Sequence, residues 1–152
     1  MNKIESFKIN HNILEPGLYT SRIDGDITTY DIRMKKPNGG NYLENAAMHT
    51  IEHLFATFAR NSEEKDEVIY FGPMGCRTGF YFLVRNIDPQ RVIELVYSAF
   101  AFIADYEGEI PGVSAIECGN YLEHDLAGAK AEARAMLPVL KDYKISQLTY
   151  KI

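Results

Sequence analysis

Two histidines stand four residues apart with a glutamate between them, in the segment His49-Thr50-Ile51-Glu52-His53. On an α-helix, residues i and i+4 lie on one face, with their Cβ atoms roughly 5–6 Å apart. Both imidazoles could therefore bind one metal ion, and Glu52 could serve as a proton donor or acceptor beside it. The same pattern, H-x-x-E-H, is the inverted form of the metallopeptidase signature H-E-x-x-H.

The two cysteines are the other reactive side chains. Cys76 lies in the segment 72–79, whose three glycines and one proline predict a tightly shaped loop. Arg77 follows it, and a neighbouring positive charge favours the thiolate form of a cysteine. Cys118 precedes a predicted helix, where the helix dipole also favours a thiolate.

A catalytic metal usually keeps three protein ligands and one open position, so a third ligand must come from elsewhere in the chain. Cys118 is the favoured candidate because it stands beside a glycine at a predicted strand–helix junction, a rigid place with room for the backbone. Cys76 suits an acid/base or nucleophile better, because its loop is shaped for exposure. The alternatives for the third ligand stay open at this point: Cys76, His124, His11 or a carboxylate.

The hydrophobic periodicity predicts the elements that must hold these residues in place. Apolar residues at steps of three and four predict a helix over about 43–61, uninterrupted by proline or glycine. A hairpin is predicted over 17–35, with its turn at Asp24-Gly25. The alternation in its second strand puts Asp31 and Arg33 on one face, which we expect to be solvated.

Later segments predict a second pair of strands and two more helices. Residues 68–71 and 80–84 are rich in β-branched and aromatic residues, as strands are. Asp88-Pro89 is a typical helix start, and an apolar stripe continues to about residue 106. An alanine-rich helix is predicted over about 121–136, ended by Pro138.

Composition narrows the class of protein. A chain of 152 residues, 46% hydrophobic and 24% charged, suits one domain over residues 1–152. The net charge of −5 and the lack of a long Lys/Arg run disfavour nucleic-acid binding. No apolar signal segment or membrane-spanning run is present, so we expect a cytoplasmic protein. In a reducing compartment, two cysteines are more often ligands or nucleophiles than a disulfide.

From the residues alone, two enzyme classes fit the pattern. One is a small metallopeptidase with His49 and His53 as ligands and Glu52 as base. The other is a lyase or isomerase of small molecules, in which a metal polarises a carbonyl while Glu52 and a cysteine move protons. A chain with about one core is short for a peptidase cleft, which favours the second class. A structural zinc site would need four protein ligands with no open position. No C-x-x-C pair is present to supply them, which disfavours such a site.

Several motifs, in order along nearly the whole chain, resemble the S-ribosylhomocysteine lyase (LuxS) family. They are the His49–Leu54 segment, the Gly72–Gly79 loop, Cys118-Gly119-Asn120 with His124-Asp125-Leu126, Ser6-Phe7 with His11, and Tyr30-Asp31-Ile32-Arg33 ahead of Pro37-Asn38. The resemblance implies a metal-dependent carbon–sulfur lyase that converts S-ribosylhomocysteine to homocysteine and 4,5-dihydroxy-2,3-pentanedione. This reaction belongs to the activated methyl cycle, and its second product is the precursor of the quorum-sensing signal autoinducer-2.

The resemblance also implies roles for individual residues. His49, His53 and Cys118 resemble the metal ligands of the family, whose metal is ferrous iron, often replaced by zinc or cobalt. Cys76 and Glu52 resemble its catalytic acid/base groups, and three further residues resemble its substrate-binding set: Ser6, His11 and Arg33. The implied fold is an α+β two-layer sandwich, an antiparallel sheet with helices on one face. The implied assembly is a homodimer with its two active sites at the subunit interface.

Overall fold

The computed structural model describes residues 1–151, and a four-stranded antiparallel sheet forms its centre. The strands are β1 (Gly17–Asp24), β2 (Ile27–Arg33), β3 (Val68–Pro73) and β4 (Gly79–Arg85), in the spatial order β1-β2-β4-β3. β1 and β2 form the predicted hairpin, and Gly25 at its turn has a positive φ of 61°. The sheet therefore joins two hairpins through the pairing of β2 with β4.

Helices cover one face of this sheet. The described residues contain the helices α1 (Glu5–Lys8), α2 (Asn45–Ala59), α3 (Pro89–Ala104) and α4 (Leu126–Leu140), with 3₁₀ turns at Lys65–Glu67 and Ile145–Leu148. Phe55 of α2 joins the layers, since its ring contacts those of Phe71, Phe82 and Phe100. The predicted α+β sandwich is confirmed. No helix within residues 1–151 combines the length and the apolar character needed to cross a bilayer.

The opposite face of the sheet differs from the prediction. Asp31 and Arg33 were expected to be solvated, but they are only 0% and 2% exposed. Arg33 Nη2 donates to Asp31 Oδ2 at 2.6 Å, and the hydroxyl of Tyr150 donates to the same oxygen at 2.6 Å. Tyr150 also stacks on Tyr19 of β1, at 4.9 Å between ring centroids. The C-terminal segment therefore covers this ion pair, which no local sequence pattern indicates.

The predicted helices are confirmed in α2 and α3, whose bounds differ by only a few residues from the prediction. The Asp88 side chain caps α3 by accepting a hydrogen bond from the backbone N–H of Gln90 at 2.9 Å. The limits predicted for α4 were wrong at both ends. Asp125 caps it by accepting from Gly128 N at 2.9 Å, so the helix begins at residue 126 and not 121.

The C-terminal end of α4 passes through Pro138. A proline removes only one helical hydrogen bond, and the next turn still closes, with Lys141 N donating to Leu137 O at 2.9 Å. Met136 and Leu140 are buried on either side of the proline. Tertiary packing thus outweighs the helix-breaking tendency on which the prediction relied.

Candidate metal centre

Four potential metal ligands meet at one place. His49 and His53 project from α2, while Cys118 and His124 come from the segment that leads into α4. Their ligand atoms all lie within 4.8 Å of one another. Cys118 was predicted just before a helix N-terminus, but α4 begins eight residues later, at Leu126. Turns place it instead, including the bond from Cys118 N to Ser114 O at 3.0 Å.

Backbone carbonyls fix the tautomers of the two helical histidines. His49 Nδ1 lies 2.8 Å from the carbonyl oxygen of Glu123, and His53 Nδ1 lies 2.8 Å from that of Pro111. A carbonyl oxygen can only accept, so each Nδ1 carries the hydrogen and each Nε2 keeps a free lone pair. Metal-binding histidines are typically oriented by such bonds to their second ring nitrogen.

The spacing of the donor atoms also fits a metal ion. Cys118 Sγ lies 3.4 Å from His49 Nε2 and 3.8 Å from His53 Nε2. Metal–nitrogen bonds near 2.0–2.1 Å and metal–sulfur bonds near 2.3 Å, at tetrahedral angles, separate the two donors by about 3.5 Å. The two rings stand at 89° to each other, so their in-plane lone pairs can converge on one ion. These three residues therefore fit a divalent metal.

His124 is oriented by Thr50, at the centre of a small hydrogen-bond network. Thr50 Oγ1 donates to the Ala46 carbonyl at 3.1 Å, accepts from Asp125 N at 2.9 Å, and lies 2.9 Å from His124 Nδ1. A hydroxyl has one hydrogen and two lone pairs, so all three bonds form only if His124 Nδ1 donates. His124 Nε2 then carries a lone pair, and this atom is buried without a hydrogen-bond partner.

His124 is less suited than its neighbours to bind the same ion. Its ring stacks on that of His49, with centroids 3.9 Å apart and planes only 23° apart. The lone pairs of stacked rings lie in nearly parallel planes, so they do not converge on one ion as those of His49 and His53 can. Burial, with a smaller contribution from the nearby His49 and His53, lowers the pKa of His124 to about 4. This ring therefore stays neutral at physiological pH.

The other predicted site residues gather in a second place. A cavity of about 530 Å³ is lined by Ser6, His11, Arg33 and Cys76, together with Phe7, Pro37, Asn38, Tyr42, Pro73, Met74, Gly75, Thr78 and Tyr81. None of the four metal-centre residues lines it. Glu52 lies on α2, partly buried, beside the two histidines. In one chain, the predicted site residues thus form two separate groups.

The surroundings of Cys76 differ from the prediction. Its sequence neighbour Arg77 points towards the start of α2, where it donates to the Leu43 carbonyl at 3.2 Å and packs over the Tyr42 ring. The guanidinium connected to Cys76 is that of Arg33, through the hydroxyl of Thr78. Thr78 was not among the predicted site residues. No local pattern marked it, because Cys76 and Thr78 lie in the turn between β3 and β4, where Arg77 has a positive φ of 61° and strand alternation does not apply.

Comparisons with known proteins show the family of this chain. The model of the family S-ribosylhomocysteinase (LuxS) matches residues 4–146. The chain is 51% identical to the S-ribosylhomocysteine lyase of Finegoldia magna and 47% identical to that of Borreliella afzelii, in both cases over 99% of each chain. It is 49% identical to the S-ribosylhomocysteine lyase of Clostridium beijerinckii over 90% of each chain. A match of this extent and identity means that the chain belongs to the S-ribosylhomocysteinase (LuxS) family.

Proposed function

We propose that this protein is an S-ribosylhomocysteine lyase that forms homocysteine and 4,5-dihydroxy-2,3-pentanedione, the precursor of autoinducer-2. The observation that carries the proposal is the cluster of His49, His53 and Cys118, with its lone pairs already oriented, in a chain of this family. The small metallopeptidase that the H-x-x-E-H pattern also allowed is not favoured, because the relatives over the full chain are lyases.

We propose these three residues as the ligands of one divalent ion per subunit, ferrous iron by analogy with the family, with zinc or cobalt as substitutes. Imidazole and thiolate ligands suit all three metals. When bound, the ion would act as a Lewis acid towards the carbonyl oxygen of the opened sugar. His124 is not a ligand in this proposal, because its ring is stacked on that of His49.

The reaction itself needs only proton transfers by the protein. Two isomerisations move the sugar carbonyl from C1 to C3, and each removes a proton from one carbon and returns one to its neighbour. The C4 hydrogen is then acidic, and its removal forms a C4–C5 double bond as the C5–sulfur bond breaks. The leaving thiolate takes up a proton to give homocysteine. The remaining enol gains a proton at C5 and loses its hydroxyl proton, which gives 4,5-dihydroxy-2,3-pentanedione. Oxidation at one carbon balances reduction at another, so no nicotinamide is required. We assign the proton transfers to Cys76 and Glu52.

Substrate binding is assigned to the cavity that contains Cys76. Its volume of about 530 Å³ lies within the usual range of small-molecule sites, roughly 300–1,000 Å³. Among its lining residues, Ser6 offers a hydroxyl, His11 an imidazole and Arg33 a guanidinium. We propose that these three residues bind the polar groups of S-ribosylhomocysteine.

The separation of the two groups supports a homodimer with active sites at its interface. The cavity of one subunit holds Cys76 but none of the metal-centre residues. We propose that this cavity opens onto the metal centre of the partner subunit, so that each site uses both chains. Cys76 and Glu52 would then approach the sugar from different subunits. Each subunit is proposed to be one catalytic domain over residues 1–152.

The chemistry also suggests the compartment. Cys76 and Cys118 are both free thiols, and the proposed reaction needs them unoxidised. Thiols persist in the reducing cytoplasm, where we place the enzyme.

The test is homocysteine release from S-ribosylhomocysteine, followed with a thiol-reactive dye. Protein purified anaerobically and loaded with ferrous iron or cobalt is compared with metal-free protein. Metal-dependent thiol release is expected. A well-folded, metal-loaded protein that releases no thiol would refute the lyase assignment, and a peptide-substrate screen would then test the metallopeptidase.

A further inference from the structure

A tyrosine of the C-terminal segment contacts the buried ion pair that borders the substrate cavity. The Tyr150 hydroxyl donates to Asp31 Oδ2 at 2.6 Å, and Arg33 Nη2 donates to the same oxygen, also at 2.6 Å. Arg33 lines the cavity, whereas Tyr150 does not. Tyr150 also lies outside residues 4–146, which the family model matches, so no family motif assigns it a role.

The neighbours of Arg33 in the sheet give its side chain no lateral support. Arg33 of β2 pairs with Gly17 of β1 on one side and with Gly79 of β4 on the other. Residues paired across adjacent strands place their side chains next to each other on one face, and glycine contributes none. The orientation of the guanidinium therefore depends on its hydrogen bonds, to Asp31 Oδ2 and to Thr78 Oγ1 at 2.8 Å.

Asp31 in turn depends on Tyr150. Its side chain is fully buried, and within residues 1–151 its second carboxylate oxygen, Oδ1, has no hydrogen-bond partner. A charged carboxylate that is shielded from water needs hydrogen-bond donors to stay in place. Without the Tyr150 hydroxyl, Arg33 would be the single donor to this carboxylate among the described residues.

The C-terminal segment is anchored independently of the Tyr150 hydroxyl. The hydroxyl of Tyr143 accepts from Leu18 N at 3.0 Å and donates to Leu18 O at 2.8 Å. Leu148 is buried, and the Tyr150 ring stacks on that of Tyr19. Removal of this one hydroxyl should therefore leave the segment in place and change only its hydrogen bond to the ion pair.

We propose that Tyr150 is a positioning residue of the substrate cavity, whose hydroxyl fixes the Asp31 carboxylate and thereby holds the Arg33 guanidinium in the orientation that meets the substrate. This inference rests on the proposed function for the identity of the ligand, but the position of Arg33 can be tested without turnover. In the parent protein, the guanidinium is ordered before the substrate arrives. Without the hydroxyl, part of the binding free energy would be used to order it, and the substrate would bind more weakly.

The first experiment compares steady-state homocysteine release by the metal-loaded parent, Tyr150→Phe and Tyr19→Phe. Each substitution removes one hydroxyl from the same stacked pair, but the Tyr19 hydroxyl donates to the Glu15 carbonyl at 2.8 Å and not to the ion pair. Tyr150→Phe should raise the KM for S-ribosylhomocysteine about tenfold, because one hydrogen bond to a charged group is lost, and should leave kcat within about twofold of the parent value. Tyr19→Phe should keep the parent KM. A residue that only stabilised the fold would not raise KM selectively.

The second experiment needs no turnover. Phenylglyoxal, a reagent for arginine side chains, is applied to the metal-loaded protein without substrate, and the modified peptides are identified by mass spectrometry. Arg33 is only 2% exposed, so it should react while it is transiently released from the ion pair. Tyr150→Phe should raise its modification rate by about the same tenfold factor, whereas Tyr19→Phe should not. The exposed Arg85 should react at one rate in all three proteins.

An unchanged KM in Tyr150→Phe would overturn the proposal, and so would a loss of kcat at the parent KM, which would mean that the hydroxyl acts on the chemical step. An equal rise of KM in Tyr19→Phe would also overturn it, because the stacked pair would then act by packing alone. If Tyr150→Phe does not fold, Tyr150→Leu replaces it, since leucine keeps an apolar side chain beside the Tyr19 ring and has no hydroxyl. A parent that releases no homocysteine would refute the proposed function. The modification rates would still decide this inference, and equal rates at Arg33 in the parent and Tyr150→Phe would overturn it.

Discussion

The active site that we propose to be shared between two subunits makes a quantitative prediction about mixed dimers. Cys76→Ala should keep the metal and lose turnover, since Cys76 lines the substrate cavity and not the metal centre. Cys118→Ala should lose both, because it removes the sulfur that lies 3.4 Å from His49 Nε2 and 3.8 Å from His53 Nε2. Neither variant alone is expected to release homocysteine.

Mixing the two inactive variants should restore activity if each site takes Cys76 from one subunit and the metal ligands from its partner. In a heterodimer, one site then combines both substitutions and the other combines two intact halves. Random pairing makes half of the dimers heterodimers, so the mixture should recover about a quarter of the parent activity per site. If each site lies within one chain, every site carries one substitution and the mixture stays inactive.

The assay is thiol release from differently tagged, co-expressed subunits. The unpurified mixture should show about a quarter of the parent activity per site, and heterodimers isolated by tandem affinity purification should show about half. The matched control pairs the double variant, Cys76→Ala with Cys118→Ala, against the unmodified chain. A shared site predicts an inactive heterodimer in this control, whereas self-contained sites predict a half-active one. An inactive mixture of the single variants together with a half-active control would refute the shared site.

Two further predictions concern side chains around the two groups. His124→Gln should keep the metal stoichiometry and the sulfur-to-cobalt charge-transfer band of the cobalt-loaded protein, because the His124 ring is stacked on that of His49. Loss of the metal in this variant would show that His124 is a ligand. Asp31→Asn should lower the free energy of unfolding by about 3 kcal/mol, measured with urea, since it leaves the Arg33 charge buried without a counter-ion. The matched control Asp24→Asn breaks an exposed pair and should change little, and equal effects of the two substitutions would contradict this explanation.

The sequence indicated the metal centre better than its surroundings, for a physical reason. His49 and His53 are related by the period of one helix, so their proximity follows from local geometry alone. Cys118 lies more than sixty residues along the chain from either histidine. The sequence could only favour it among several candidates for the third ligand. The stacking of His124 on His49 depends on the bonds around Thr50, which link residues far apart in the chain.

Predictions from the sequence failed where tertiary contacts override local preference. The alternation in β2 was predicted correctly, yet it does not reveal that Tyr150 covers Asp31 and Arg33. In the same way, Pro138 breaks a helix locally, but the buried side chains beside it hold the last turn of α4. The adjacent Arg77 was expected to lie beside Cys76, but it points towards the start of α2, and the guanidinium connected to Cys76 through the Thr78 hydroxyl is that of Arg33 on β2.

The carbonyl bonds to the histidines make the connection between α3 and α4 part of the metal centre. Pro111 and Glu123 hold the two rings, and both belong to this connection, as does Cys118 itself. Metal binding is therefore thermodynamically linked to the ordering of this segment. Metal uptake should raise the amide hydrogen-exchange protection of the segment, and a substitution that loosens it should weaken metal affinity without touching a ligand. Natural variants with substitutions in this segment would then need a higher metal concentration to reach the same occupancy of the site.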